Sequence, residues 1–283
     1  MTLRDTHLDS FAERLDKVAA SRKSMVCVGL DPDPRLMPVS DPFEFNRRIV
    51  DATHDIVLAY KPQLAYYEAL GLPGLHALEK TVRHIRDTDA EVLIVGDGKR
   101  GDIGPTAAAY AAAMFDVWGF DATTVYSYQG ADSVEPFLQY PGRGVFIVCR
   151  TSNPSSREFQ DLRIDEEHRP FLFQKVAEAA ERWDIGGNIG LVVGATYPAE
   201  LRLLRNDHPN LPFLIPGVGA QGGDVAEAVR AGVNWRGYGV LVNSARAVIY
   251  ASKDARDYPR YARIAVESLR NEMNIALDTV PGT

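Results

Sequence analysis

Asp97-Gly98-Lys99-Arg100-Gly101-Asp102-Ile103 sets two carboxylates around an ammonium within six residues. A lysine beside negative charge keeps its proton, so the array offers a proton donor next to fixed negative charge. The segment follows Val92-Leu93-Ile94-Val95, an apolar run that reads as a buried strand. Residues two apart on an extended chain point the same way, which places Asp97 and Lys99 on one face. Asp102 falls in the turn that opens an Ala-rich helix. An ordinary surface salt bridge would explain such a motif standing alone. Its company argues otherwise.

The elements that must position these groups repeat along the chain. Strands are expected at 25–30, 57–61, 92–96, 122–126, 145–149, 191–195, 212–216 and 239–242. Helices are expected at 43–55, 65–86, 105–117, 131–138, 170–184, 198–206, 223–231 and 244–251, with a leading helix at 7–20 and a closing one at 258–277. Strands continuous in Val, Ile and Leu suit a parallel sheet covered by helices. Eight alternating units predict an α/β fold, a (β/α)8 TIM barrel in a single domain over 1–283. A doubly wound open sheet is the alternative, because periodicity does not count barrel closure. The one long connection, 151–169, is polar and charged, as functional lids or surface decoration are.

Bulk composition excludes several functions. The 283 residues carry a formal charge of −7, with 46% hydrophobic and 24% charged residues. That balance disfavours nonspecific binding to nucleic acid or to an anionic membrane. No apolar run reaches a membrane span, and the N-terminus does not resemble a secretory signal. Cys27 and Cys149 sit in apolar runs and read as buried reduced thiols of a cytoplasmic protein. The six histidines lack metal-ligand spacing, so no metal is expected.

In a barrel, chemistry gathers where strands end. Those ends read Leu30-Asp31-Pro32, Tyr60-Lys61-Pro62-Gln63, the Asp97/Lys99/Asp102 array, Arg150-Thr151-Ser152-Asn153, Pro216-Gly217-Val218-Gly219 and Asn243-Ser244-Ala245-Arg246. Charged and hydrogen-bonding groups crowd one rim. Together these segments closely resemble orotidine 5′-phosphate decarboxylases, particularly the longer bacterial branch. D-G-K-R-G-D-I-G at 97–104 with Thr106 fits the family's central motif, and P-G-V-G-A-Q-G-G-D at 216–224 fits its phosphate loop.

The resemblance implies decarboxylation of orotidine 5′-monophosphate to UMP, the last step of de novo pyrimidine synthesis, with no cofactor. Lys99 would stabilise and protonate a C6 carbanion, with Asp97 and Asp102 orienting it and Lys61 completing the network. Asp31 would accept from a ribose hydroxyl, and Ser152 would read the pyrimidine amide edge. Gln221 and Arg246 would hold the phosphate, aided by the amides of Ala245 and Arg246 at a helix N-terminus. Asp102 and Thr106 would reach the opposing subunit's site, which makes the expected state a homodimer. Taken singly, Asp31, Ser152 and Thr106 read as turn or cap residues, and the glycines as packing. The nearest rivals are a metal-dependent phosphosugar enzyme of the same superfamily, which carries Glu where Lys61 stands, and a noncatalytic nucleotide-binding protein.

Overall fold

The computed structural model describes residues 9–164, 170–218 and 222–280. Eight parallel strands close in sequence order into a barrel. They are β1 (Val26–Leu30), β2 (Ala59–Pro62), β3 (Leu93–Arg100), β4 (Ala122–Val125), β5 (Gly144–Arg150), β6 (Ile189–Val193), β7 (Phe213–Pro216) and β8 (Val240–Ser244). The helices are α1 (Phe11–Arg22), α2 (Pro42–Thr53), α3 (Leu64–Glu68), α4 (Gly71–Thr88), α5 (Gly104–Ala112), α6 (Glu135–Leu138), α7 (Arg157–Gln160), α8 (Leu172–Trp183), α9 (Pro198–Asp207), α10 (Val225–Gly232), α11 (Arg246–Ile249) and α12 (Tyr258–Leu277).

The strand period of two divides the apolar residues between two cores. Alternate residues such as Val28, Tyr60, Ile94, Ile147 and Ile215 face the helices and build the larger cluster. Their neighbours Cys27, Ala59, Leu93, Val95, Phe146, Val148, Val192, Leu214 and Leu241 fill the barrel interior. Phe11, Leu15 and Ala19 of α1 belong to that interior cluster, so α1 plugs the end where the strands begin. Phe11 meets Phe146 edge-on, ring centroids 5.6 Å apart. Continuing the inward alternation toward the strand ends gives Asp31, Lys61, Asp97, Thr124 and Asn243. The apolar filling thus gives way to a polar layer at the open mouth.

Several elements differ from expectation for local reasons. The leading helix starts at Phe11, where Ser10 and Glu13 form a reciprocal capping box; residues 7–8 of the expected helix lie outside the described residues. The stretch expected as one helix over 65–86 is α3 and α4, because Gly71 takes a left-handed conformation (φ 65°) and restarts the chain. The helix expected at 105–117 leaves α-geometry after Ala112 and ends in a π-turn over Ala113–Val117. The helix expected at 244–251 is only the single turn α11. The long connection is partly built: a 3-10 turn at Pro154–Ser156 leads into α7. Its residues 165–169 lie outside the described residues.

Candidate active site

The reading of β3 as a flat extended strand needs correction. The strand runs four residues past its expected end, and its pairing with β4 shifts between Gly96 and Arg100. Within that irregularity Lys99 is left-handed (φ 43°), a costly conformation for a residue with a Cβ. Thr124 of β4 holds it there. Its Oγ1 accepts from the Lys99 backbone N–H at 2.9 Å and donates to Asp97 Oδ1 at 2.9 Å. The Lys99 ammonium then bonds back onto Asp97 Oδ1 at 2.6 Å.

Asp97, and not a lysine, is therefore the hub. Lys61 Nζ donates to Asp97 Oδ2 at 2.6 Å, and Gln63 Nε2 donates to the same oxygen at 2.9 Å. Burial alone would raise the Asp97 carboxyl, but Lys61 and Lys99 hold it well below the usual carboxylate range. Burial likewise opposes the charge on Lys61, yet Asp97 and Asp31 keep its ammonium above its ordinary range. Asp31 fares differently. Desolvation pushes its carboxyl up, Lys61 only partly offsets this, and the charge of Asp97 adds to it. Its Oδ1 is buried without a partner among the described residues.

These groups line a cavity of about 350 Å3 at the strand ends, within the size range of small-molecule sites. Asp31, Lys61, Asp97 and Lys99 line it together with Ser152, Gly217, Ala245 and Arg246. Ser152 is seated closely. A Cβ on Gly194 would stand 2.9 Å from Ser152 Cβ, so only glycine fits there. The base of the Gly-rich loop is pinned by Gly223 N–H donating to Gly217 O at 3.1 Å, with Gly217 and Gly222 both at positive φ. Gln221 lies outside the described residues. Ala245 and Arg246 reach the cavity, but α11 is four residues long. The helix-dipole contribution expected there is correspondingly small, and a phosphate would be held chiefly by the guanidinium of Arg246 rather than by the helix.

Asp102 departs from expectation within the chain. Its carboxylate accepts from the Ile103 N–H at 2.8 Å, and it contacts neither Lys99 nor the cavity. Thr106 is exposed on the first turn of α5. Sequence reasoning assigned nothing to Thr124, Gln63 or Asn243. Each sits at a strand end in the inward register, which is the signal that would have found them. Tyr126, also left unassigned, lines the cavity, whereas Tyr67 is packing and donates to Leu30 O at 3.1 Å.

A closed parallel barrel with a lysine–aspartate–lysine cluster, its Lys61 and Asp97 buried, at its C-terminal mouth defines an enzyme of the (β/α)8 class. The model of the Orotidine 5'-phosphate decarboxylase / HUMPS family matches residues 24–261. A Dehalococcoides mccartyi protein named Orotidine 5'-phosphate decarboxylase is 45% identical over 266 residues, covering 93% of this chain and 97% of its own. The solved structure of Leishmania donovani OMP decarboxylase is similar at a TM-score of 0.84 and 37% identity, over 95% of this chain and 100% of that one. Leishmania donovani UMP synthase gives a TM-score of 0.86 at 38% identity, over 96% of this chain but 57% of that one. The chain belongs to the orotidine 5′-phosphate decarboxylase / HUMPS family.

Proposed function

We propose that the chain decarboxylates orotidine 5′-monophosphate to UMP and carbon dioxide, the last step of de novo pyrimidine synthesis. One observation carries this reading: Asp97 is buried and ionised between two ammonium groups, one of which, Lys99, also faces the cavity. Breaking the bond from C6 to the carboxylate leaves the electron pair on C6, where no ring carbonyl can take it up by conjugation. A fixed positive charge at that carbon stabilises the developing anion, and it acts strongly because the site is already organised and partly dry. Lys99 then gives its proton to C6, and the neutral amine regains one from solvent. Asp97 positions Lys99, and Lys61 holds Asp97 from the other side.

The remaining assignments rest on the family resemblance and on the lining of the cavity. We assign Ser152 to the pyrimidine amide edge, Asp31 to a ribose hydroxyl, and Arg246 with the Ala245 amide to the phosphate, all four being cavity-lining residues; Gln221 joins the phosphate group on the family resemblance alone. Binding energy from that remote phosphate is then available to assemble the reacting end. A homodimer with shared sites accounts for Asp102 and Thr106. Between them in sequence lies Ile103, which is 48% exposed; an exposed apolar side chain there suits contact with a second copy. A cytoplasmic location goes with the reading, supported by the two free buried cysteines, whose thiols burial pushes up to about 12. No helix among the described residues is long and apolar enough to cross a membrane.

The test is to follow the pyrimidine absorbance of orotidine 5′-monophosphate with purified protein in EDTA. Conversion to UMP is expected with no added metal. Absence of turnover, or turnover restored only by a divalent cation, would refute the reading.

A further inference from the structure

Asn243 is a polar side chain in the inward layer of the barrel, where β8 pairs with β1 on one side and β7 on the other. It is 8% exposed and lines the cavity, yet its Oδ1 is buried without a hydrogen-bond partner among the described residues. The amide leans toward β1: a Cβ built on Gly29 would stand 3.4 Å from Asn243 Oδ1. Two residues beyond Gly29 on β1 comes Asp31, whose own Oδ1 is the second buried oxygen of this cavity wall without a partner. Buried polar atoms are rarely left unpaired in native proteins, because an unmade hydrogen bond costs the desolvation of the group. Both oxygens belong to residues that line one cavity, and a ligand filling it can supply what the chain does not.

The chemistry of that ligand part is restricted. A carboxylate only accepts, so the group opposite Asp31 must donate. A phosphate offers acceptors and negative charge, and so satisfies neither oxygen. An apolar ring face donates nothing. Hydroxyl groups fit, since each donates to one oxygen and can also accept from the Asn243 amide nitrogen or the Lys61 ammonium. Asn243 also lies three residues before Arg246, on the strand that leads toward the phosphate end.

Resting on the reading above, we propose that Asn243 is a further substrate-binding residue, its side-chain amide holding a sugar hydroxyl of the nucleotide next to Asp31. Recognition of this kind discriminates sharply, because an analogue lacking the hydroxyl leaves buried polar groups unpaired. Asn243 therefore helps to select ribonucleotides over nucleotides without sugar hydroxyls.

The experiment titrates the protein and its Asn243→Ala variant with UMP and with 2′,3′-dideoxyuridine 5′-monophosphate, by calorimetry. The variant is expected to bind UMP roughly tenfold more weakly, the loss of about one hydrogen bond. The dideoxy nucleotide should bind both proteins alike, within about a factor of two. Unchanged UMP affinity would overturn the proposal, and so would equal weakening of both ligands, which would mean a role in cavity shape alone. If the alanine variant fails to fold, Asn243→Ser decides by the same criteria. Binding is read separately from turnover. A protein that distinguishes the two nucleotides through Asn243 but does not convert orotidine 5′-monophosphate keeps this inference and loses the proposed reaction. A protein that binds neither nucleotide loses both.

Discussion

Asp31 and Asp97 show how one cavity treats two carboxylates in opposite ways. Asp97 has a lysine on each oxygen and is held ionised well below the usual range. It contributes stability at neutral pH, and that contribution is lost as pH falls below the ordinary carboxylate range toward its lowered value. One oxygen of Asp31 is buried without a partner among the described residues, and desolvation raises its carboxyl. Its sign is reversed: the folded state is favoured when Asp31 is protonated, and stability declines as pH rises through the raised value. Ionised Asp31 is thus a cost to the free protein, one that the proposed contact with a sugar hydroxyl would offset. Asp31→Asn should raise the melting temperature of the ligand-free protein at neutral pH while lowering turnover. The gain should fade as pH drops into the carboxylate range. A variant that melts lower than the parent at neutral pH would contradict this account of Asp31.

At the junction of β3 and β4, two groups depend on one hydroxyl. Thr124 Oγ1 ties the left-handed Lys99 backbone to the Asp97 carboxylate. Thr124→Val keeps the shape but leaves a buried N–H and a carboxylate oxygen short of a partner, at a cost of about 1–3 kcal/mol. We expect a lower melting temperature and a fall in kcat of tenfold or more, because Lys99 loses its fixed place. Thermal melting and steady-state kinetics check both; an unchanged kcat would remove Thr124 from the positioning scheme. The same junction shows what sequence reading can and cannot reach. The strand positions and the company of Asp97, Lys99, Lys61 and Arg246 were readable because apolar runs and strand ends are local signals. The bulge was not, since nothing in Gly98-Lys99-Arg100 announces a left-handed lysine; the conformation comes from Thr124 on the next strand. The break between α3 and α4 was readable in principle from Gly71 with Pro73, but the apolar periodicity runs through it. Asn243 was passed over because asparagine at a strand end also reads as a turn residue, and its role depends on a neighbour far away in sequence.

On the proposed shared-site dimer, one chain alone does not complete the site. Asp102 and Thr106 stand on the outside of the cavity that their motif serves, next to exposed Ile103. A two-fold dimer would exchange these residues between sites. Two variants, Lys99→Ala and Asp102→Ala, should then each be inactive alone and complement each other on mixing. A mixed dimer holds one site that draws Lys99 and Asp102 from the unaltered copies of each. After subunit exchange at equal concentrations, activity should approach about a quarter of the parent's, since half of the dimers are mixed and half of their sites intact. Activity that stays at the level of the separate variants would exclude shared sites. The overall charge of −7 makes the few cations at the barrel mouth the attractive feature for an anionic nucleotide.

The account turns on the ammonium of Lys99, held at 2.6 Å from Asp97 where the cavity opens. The most direct measurement is the decay of orotidine 5′-monophosphate absorbance catalysed by the parent protein and by Lys99→Ala, with folding of the variant verified by circular dichroism. Loss of the charge and of the proton donor should lower kcat/KM by several orders of magnitude, roughly 4 kcal/mol or more of transition-state stabilisation. A folded variant that decarboxylates within about tenfold of the parent would contradict the mechanism.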